Sequence, residues 1–127
     1  MADLLSDSMN KIKIYEMRGI GECVLPSTKI IRGVLEVLKN NGYVDSYEEF
    51  KDGKFTKLRV KLAKKINEIG TIKPRYAVRI DEYQKFESQY IPSKDFGLLI
   101  VSTPKGIMSN REAKEKHVGG KLLAYVY

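Results

Sequence analysis

A chain of 127 residues with 43% hydrophobic and 31% charged side chains is long enough for one domain or two small modules, and too apolar for a disordered basic tail. Its net charge of +7 and pI near 9.4 point to a polyanionic partner, because each phosphate neutralised releases condensed counterions. Cys23 is the only cysteine, which excludes an intrachain disulfide, and no apolar run approaches the roughly 18 residues of a membrane span, so the chain reads as soluble and cytoplasmic.

From Asp3 onward, Leu5, Met9 and Ile12 recur at i, i+4 and i+7, which predicts a first helix that ends before Gly19. Glu22 to Leu25 reads as a short strand stopped by Pro26, after which Ser27 stands where a helix N-cap is wanted. Ile30, Ile31, Val34, Leu35 and Leu38 form the apolar stripe of a second helix, and Asn40-Asn41-Gly42 stops it. Strands Tyr43 to Phe50 and Lys54 to Lys61 flank Asp52-Gly53, a dipeptide suited to a tight hairpin.

Periodicity fails at Asn67 to Gly70 and Pro74 soon follows, so a module boundary is expected there. Tyr76 to Ile80 reads as a strand, and Tyr83, Phe86 and Tyr90 as one face of a short helix. Gly97-Leu98-Leu99-Ile100-Val101 is apolar on both faces, as in a central strand covered on two sides, and it delivers Ser102-Thr103 to a loop running to Ser109. Ser109 and Glu112 make an S-x-x-E capping box, opening a helix expected to end near Gly119-Gly120 before a last strand from Leu122 to Tyr127. The expected fold is α+β in two small modules: an N-terminal αβαββ module over 1–66 and a mainly antiparallel β module with a short helix over 67–127. Residues 1–66 carry 13 basic and 9 acidic side chains (+4) and residues 67–127 carry 10 and 7 (+3), so both halves can face one long anion.

Catalytic readings fare poorly. Ser102-Thr103-Pro104-Lys105 matches S-x-x-K, but the S-D-N and K-T-G partners of that chemistry are missing. Gly19-Ile20-Gly21 opens like a dinucleotide fingerprint, yet Val24 fills the third glycine position and the segment leads into a strand, where the phosphate site needs a helix start. His117 is the only histidine, so any relay would have to use it, and no nucleophile, base and oxyanion hole assemble around it. No cofactor or metal is expected.

Recognition suits the segment Ser102 to Ser109 better. Ser and Thr hydroxyls suit base edges and the ribose 2′-hydroxyl, Lys105 suits phosphate, and Gly106 lets the backbone approach a ligand. The plainer alternative is that Ser102 and Thr103 end a strand while Lys105 is a solvated charge; likewise the hydroxyls of Pro26-Ser27-Thr28-Lys29 serve either as caps or as contacts. An enzyme that uses its charge only to hold nucleic acid, and a module indifferent to sequence, are the competing readings.

The run Gly97 to Met108, followed by Ala113, Gly119-Gly120 and Tyr125-Val126, closely resembles the C-terminal signature of the small-subunit ribosomal protein S8 family. Asp3 to Lys13 is similar to that family's first helix, and Pro26-Ser27-Thr28-Lys29 to its turn before the second. Lys73-Pro74-Arg75-Tyr76 and the terminal Tyr125-Val126-Tyr127 resemble archaeal and eukaryotic members. The resemblance covers essentially the whole chain. It implies a structural, non-enzymatic protein of the cytoplasmic ribosome that binds the central domain of small-subunit ribosomal RNA, helps assembly and meets neighbouring small-subunit proteins, with no membrane or small-molecule partner. By the same resemblance RNA contacts fall on Ser102, Thr103 and Gly106, on Thr28 and Lys29, and on Gly119 and Gly120, while Lys105, at a position the family varies, joins the RNA-binding candidates on its charge.

Overall fold

The structure, a computed structural model, describes residues 4–93 and 96–127, so Asp3, with which the first helix is expected to open, lies outside the described residues. Four helices and two antiparallel sheets make an α+β fold, divided into two compact units, Met1–Ile66 and Asn67–Tyr127.

In the first unit, α1 (Leu4–Met17) leads to β1 (Glu22–Pro26), α2 (Lys29–Asn40), β2 (Val44–Asp52) and β3 (Phe55–Leu62). The sheet order is β1-β3-β2, and both pairings are antiparallel. Pro26 can end β1 because that strand lies at an edge, where a missing N–H breaks no ladder. Leu5, Met9 and Ile12 of α1, with Ile31, Val34, Leu35 and Leu38 of α2, are buried along with Cys23, Leu25, Leu58, Val60 and Leu62 from the sheet. Each such aliphatic side chain contributes roughly 1.5–3 kcal/mol by leaving water. Burial also pushes the Cys23 thiol up to about 11, out of reach of thiolate chemistry at neutral pH. The β2–β3 reversal uses Gly53-Lys54 as its central pair, one residue later than Asp52-Gly53, with Gly53 at φ +64 and Asp52 paired with Phe55. Glycine first in the pair is the habit of a type II′ turn, whose twist matches the strands it joins.

The second unit holds β4 (Ile69–Thr71), β5 (Ala77–Val78), α3 (Tyr83–Tyr90), β6 (Leu98–Thr103), β7 (Gly106–Ser109), α4 (Asn110–Glu115) and β8 (Gly120–Val126). Strand order is β4-β8-β6-β7, with β5 also paired to β8. The segment expected to be an element-free boundary is in part β4, recruited by β8 through the pair Ile69 and Val126, with the N–H groups of Asn67 and Glu68 donating to the Tyr127 carbonyl. A three-residue strand is too short to show a period, so its pairing partner defines it. The strand expected over Tyr76 to Ile80 shrinks to two residues because Ile80 already opens a 3-10 turn.

β6 lies between β8 and β7 with Leu98, Leu99, Ile100 and Val101 buried, as its apolar run requires. Tyr83 and Phe86 of α3 and Ala113 of α4 share a core with Leu99, Val101, Met108 and Leu122. The expected loop from Ser102 to Ser109 is instead a β-hairpin, with only Pro104 and Lys105 between β6 and β7. Helix α4 stops at Glu115, and His117 takes the left-handed φ of +55 that sequence rules reserve for glycine, so Gly119-Gly120 does not end the helix and Gly120 opens β8. Among the described residues no helix is long and apolar enough to cross a membrane.

Candidate nucleic-acid interface

At one end of the C-terminal sheet, cross-strand pairing sets Ala77, Lys121, Ser102 and Ile107 in a row across β5, β8, β6 and β7. Directly opposed residues share a face, and Val101, Met108 and Leu122, one step along each strand, face the helix-covered core. Ser102 and Lys121 therefore point away from α3 and α4. Ser102 is half-buried and its hydroxyl has no hydrogen-bond partner among the described residues, while Lys121 is exposed. A donor-acceptor hydroxyl beside an ammonium fits a ribose–phosphate unit.

Thr103 turns the other way. Its hydroxyl donates to the Gly106 carbonyl at 2.8 Å and accepts from the Lys105 N–H at 3.1 Å, so it shapes the reversal from inside. Pro104 fixes φ near −65°, which forbids the positive φ that primed turns need at that position. The chain takes its positive φ from Gly106 instead, at +118, and a Cβ there would meet open space. The backbone angle is what asks for glycine, and Lys105 is left exposed at the tip.

Gly119 and Gly120 are demanded by space. A Cβ on Gly119 would lie 2.5 Å from the Val78 carbonyl oxygen, and one on Gly120 would lie 2.2 Å from that of Ser102. The two glycines let β5 and β6 close on β8, and the Thr103 Cγ2 lies 3.1 Å from where a Gly120 Cβ would stand. The segment is anchored just upstream by Tyr83, whose hydroxyl donates to the Val118 carbonyl at 2.8 Å and whose pKa burial raises. Arg79, exposed, has its Cα 3.3 Å from where a Gly119 Cβ would stand.

Thr28 and Lys29 belong to the first unit. Thr28 is the N-cap of α2, with extended backbone (φ −125, ψ 160), and its side-chain oxygen accepts from the Ile31 N–H at 3.1 Å. Ser27 accepts from the Arg32 guanidinium at 2.8 Å. Both hydroxyls thus hold the helix start, and exposed Lys29 stands on its first turn, where unpaired N–H groups already favour anions.

Ser102, Thr103, Lys105, Gly106, Gly119 and Gly120 are accordingly brought to one sheet end, and Thr28 with Lys29 forms a separate locus. Sequence reading missed Lys121; its alternation with Leu122 in a strand opened by Gly120 is the signal that marks it outward-facing. Among the described residues no group of three or more His, Cys, Asp or Glu could hold a metal.

A family model for ribosomal protein S8 matches residues 3–127. Curated relatives named small ribosomal subunit protein uS8 include that of Caldivirga maquilingensis, 45% identical over 128 residues, and that of Methanococcoides burtonii, 43% identical over 128 residues. A third, from Aeropyrum pernix, is 46% identical over 131 residues; each comparison spans 100% of this chain and 98% of the relative. A match of this extent leaves no segment outside the likeness: the chain belongs to the ribosomal protein S8 family.

Proposed function

We propose that this chain binds small-subunit ribosomal RNA directly, in its central domain, and helps the subunit assemble, working in the cytoplasmic ribosome beside neighbouring small-subunit proteins. The S8 family is a structural, non-enzymatic component of the small ribosomal subunit, so the site has to hold and not to turn over. One observation carries the reading: a Ser102 hydroxyl with no hydrogen-bond partner among the described residues and the exposed Lys121 lie side by side on the sheet end that Gly119 and Gly120 let close. Hydroxyl and backbone groups there read base edges and 2′-hydroxyls, while Lys105, Lys121 and, from the first unit, Lys29 hold phosphates. Thr103 and Gly106 set the shape of the turn that presents them, and Thr28 sets the start of α2.

The two kinds of contact separate in a filter-binding titration on a central-domain transcript and on an unrelated stem at several salt concentrations. Lys29→Ala should weaken both complexes alike and flatten the plot of log affinity against log salt by up to about one unit, since one phosphate is no longer neutralised. Ser102→Ala should leave that slope unchanged and cost on the order of 1–3 kcal/mol on the central-domain RNA alone. Equal affinity of the unsubstituted protein for both RNAs would overturn selective binding.

A further inference from the structure

Three of the four phenylalanines have a partner for their ring: Phe50 lies under the Arg59 guanidinium at 4.7 Å, Phe86 stacks with Tyr76 at 5.8 Å, and Phe96 meets Tyr127 at 6.2 Å. Phe55 has none among the described residues, and at 70% exposure it is the most exposed aromatic among them. It is also held in place. Phe55 opens β3 directly after the Gly53-Lys54 reversal and pairs with Asp52 across the hairpin, so its backbone is ordered before any ligand arrives.

The surroundings of the ring decide what fits it. A ring that buries in a protein pocket is usually one of several apolar anchors, and Lys and Asp are depleted in the core of such interfaces. From 51 to 57 the sequence reads Lys-Asp-Gly-Lys-Phe-Thr-Lys, with no other apolar side chain. Asp52, the one acidic residue of that run, shares the ring's face and pairs there with Lys57 at 2.9 Å, and exposed Lys54, next to Phe55 in the turn, has no ion-pair partner among the described residues. One flat apolar face framed by positive charge is the chemistry that takes a nucleobase by stacking and its flanking phosphates by attraction.

We propose that Phe55, at the tip of the β2–β3 hairpin, is a stacking platform for an unpaired base of the bound RNA, with Lys54 on the adjacent phosphate; this rests on the RNA-binding reading above. The chain contains no tryptophan, so Phe55→Trp places a single indole at the tip of the full-length protein. Titrating that variant with the central-domain transcript should quench the indole emission with the same midpoint as binding measured on filters. Phe55→Ala should weaken the complex about 5- to 150-fold, the span expected when one base–aromatic stack is removed, while Phe55→Tyr retains it and neither changes the melting temperature. Tight binding by Phe55→Trp with unchanged emission, together with full affinity of Phe55→Ala, would overturn the stacking role and leave the RNA-binding reading intact. Failure of the unsubstituted protein to bind the transcript would overturn both. An emission change on adding small-subunit proteins freed of RNA, with none on adding the transcript, would assign the ring to a protein pocket and overturn the proposal.

Discussion

The Thr103 hydroxyl donates to the Gly106 carbonyl and accepts from the Lys105 N–H, whereas the Ser102 hydroxyl beside it has no hydrogen-bond partner among the described residues. Adjacent residues of one strand face opposite ways, so the two hydroxyls divide into one that builds the turn and one that is offered outward. Thr103→Val, nearly isosteric, strands the two turn groups and should cost about 1 kcal/mol in unfolding free energy by urea titration, while Thr103→Ser restores it. Ser102→Ala, which breaks nothing inside the protein, should stay within about 0.5 kcal/mol of the parent. A Thr103→Ser protein of full stability that has lost its RNA preference would show that Thr103 itself touches the ligand.

Helix α4, at six residues, is far below the roughly 12–15 that an isolated helix needs, so its neighbours must hold it. Ser109 caps it by accepting from the Glu112 N–H at 3.2 Å. Asn110, fully buried, accepts from the Leu99 N–H at 3.1 Å and donates to the buried Glu87 carboxylate, which in turn pairs with Lys114. One amide thus ties β6, α3 and α4 together behind the hairpin that carries Ser102. Asn110→Ala leaves the Leu99 N–H and part of Glu87 unsatisfied, at about 1–3 kcal/mol for each group. Its urea midpoint should fall and the Leu99 amide should exchange faster with deuterium; an unmoved midpoint would mean that the tie carries no energy. Sequence rules see little of this. The stripe of α2 and the apolar run of β6 are long enough to announce themselves, and Gly53 marks its turn. By contrast, β4 exists only because β8 pairs with it, and α4 stops at Glu115 with the left-handed turn at His117, because the glycines beyond it are needed for close strand approach. Ser102 and Gly106 are legible as a motif; Lys121 is not, because the apolar run that announces the last strand starts only at Leu122.

Each unit closes a core of its own, and the two carry net charges of +4 and +3 by residue count, so neither is a mere appendage of the other. Both sheets are open, and open sheets have edges whose unpaired backbone groups can recruit another chain. In the first unit the edges are β1, five residues long and closed by Pro26, and β2, which carries Asp45, Glu48, Glu49, Lys51 and Asp52 and shifts register between Val44 and Ser46. In the second, β7 has four residues before the chain turns into α4, and β4 has three. Brevity, proline, charge and a register irregularity are the means by which natural sheets refuse self-recruitment. The consequence is colloidal: a free copy can wait among other copies without templating fibres. Light scattering should read a monomer at high protein concentration, and Glu48→Val with Glu49→Val, which makes β2 an apolar edge, should drive association; a parent chain that already assembles would show that these edges are not silent.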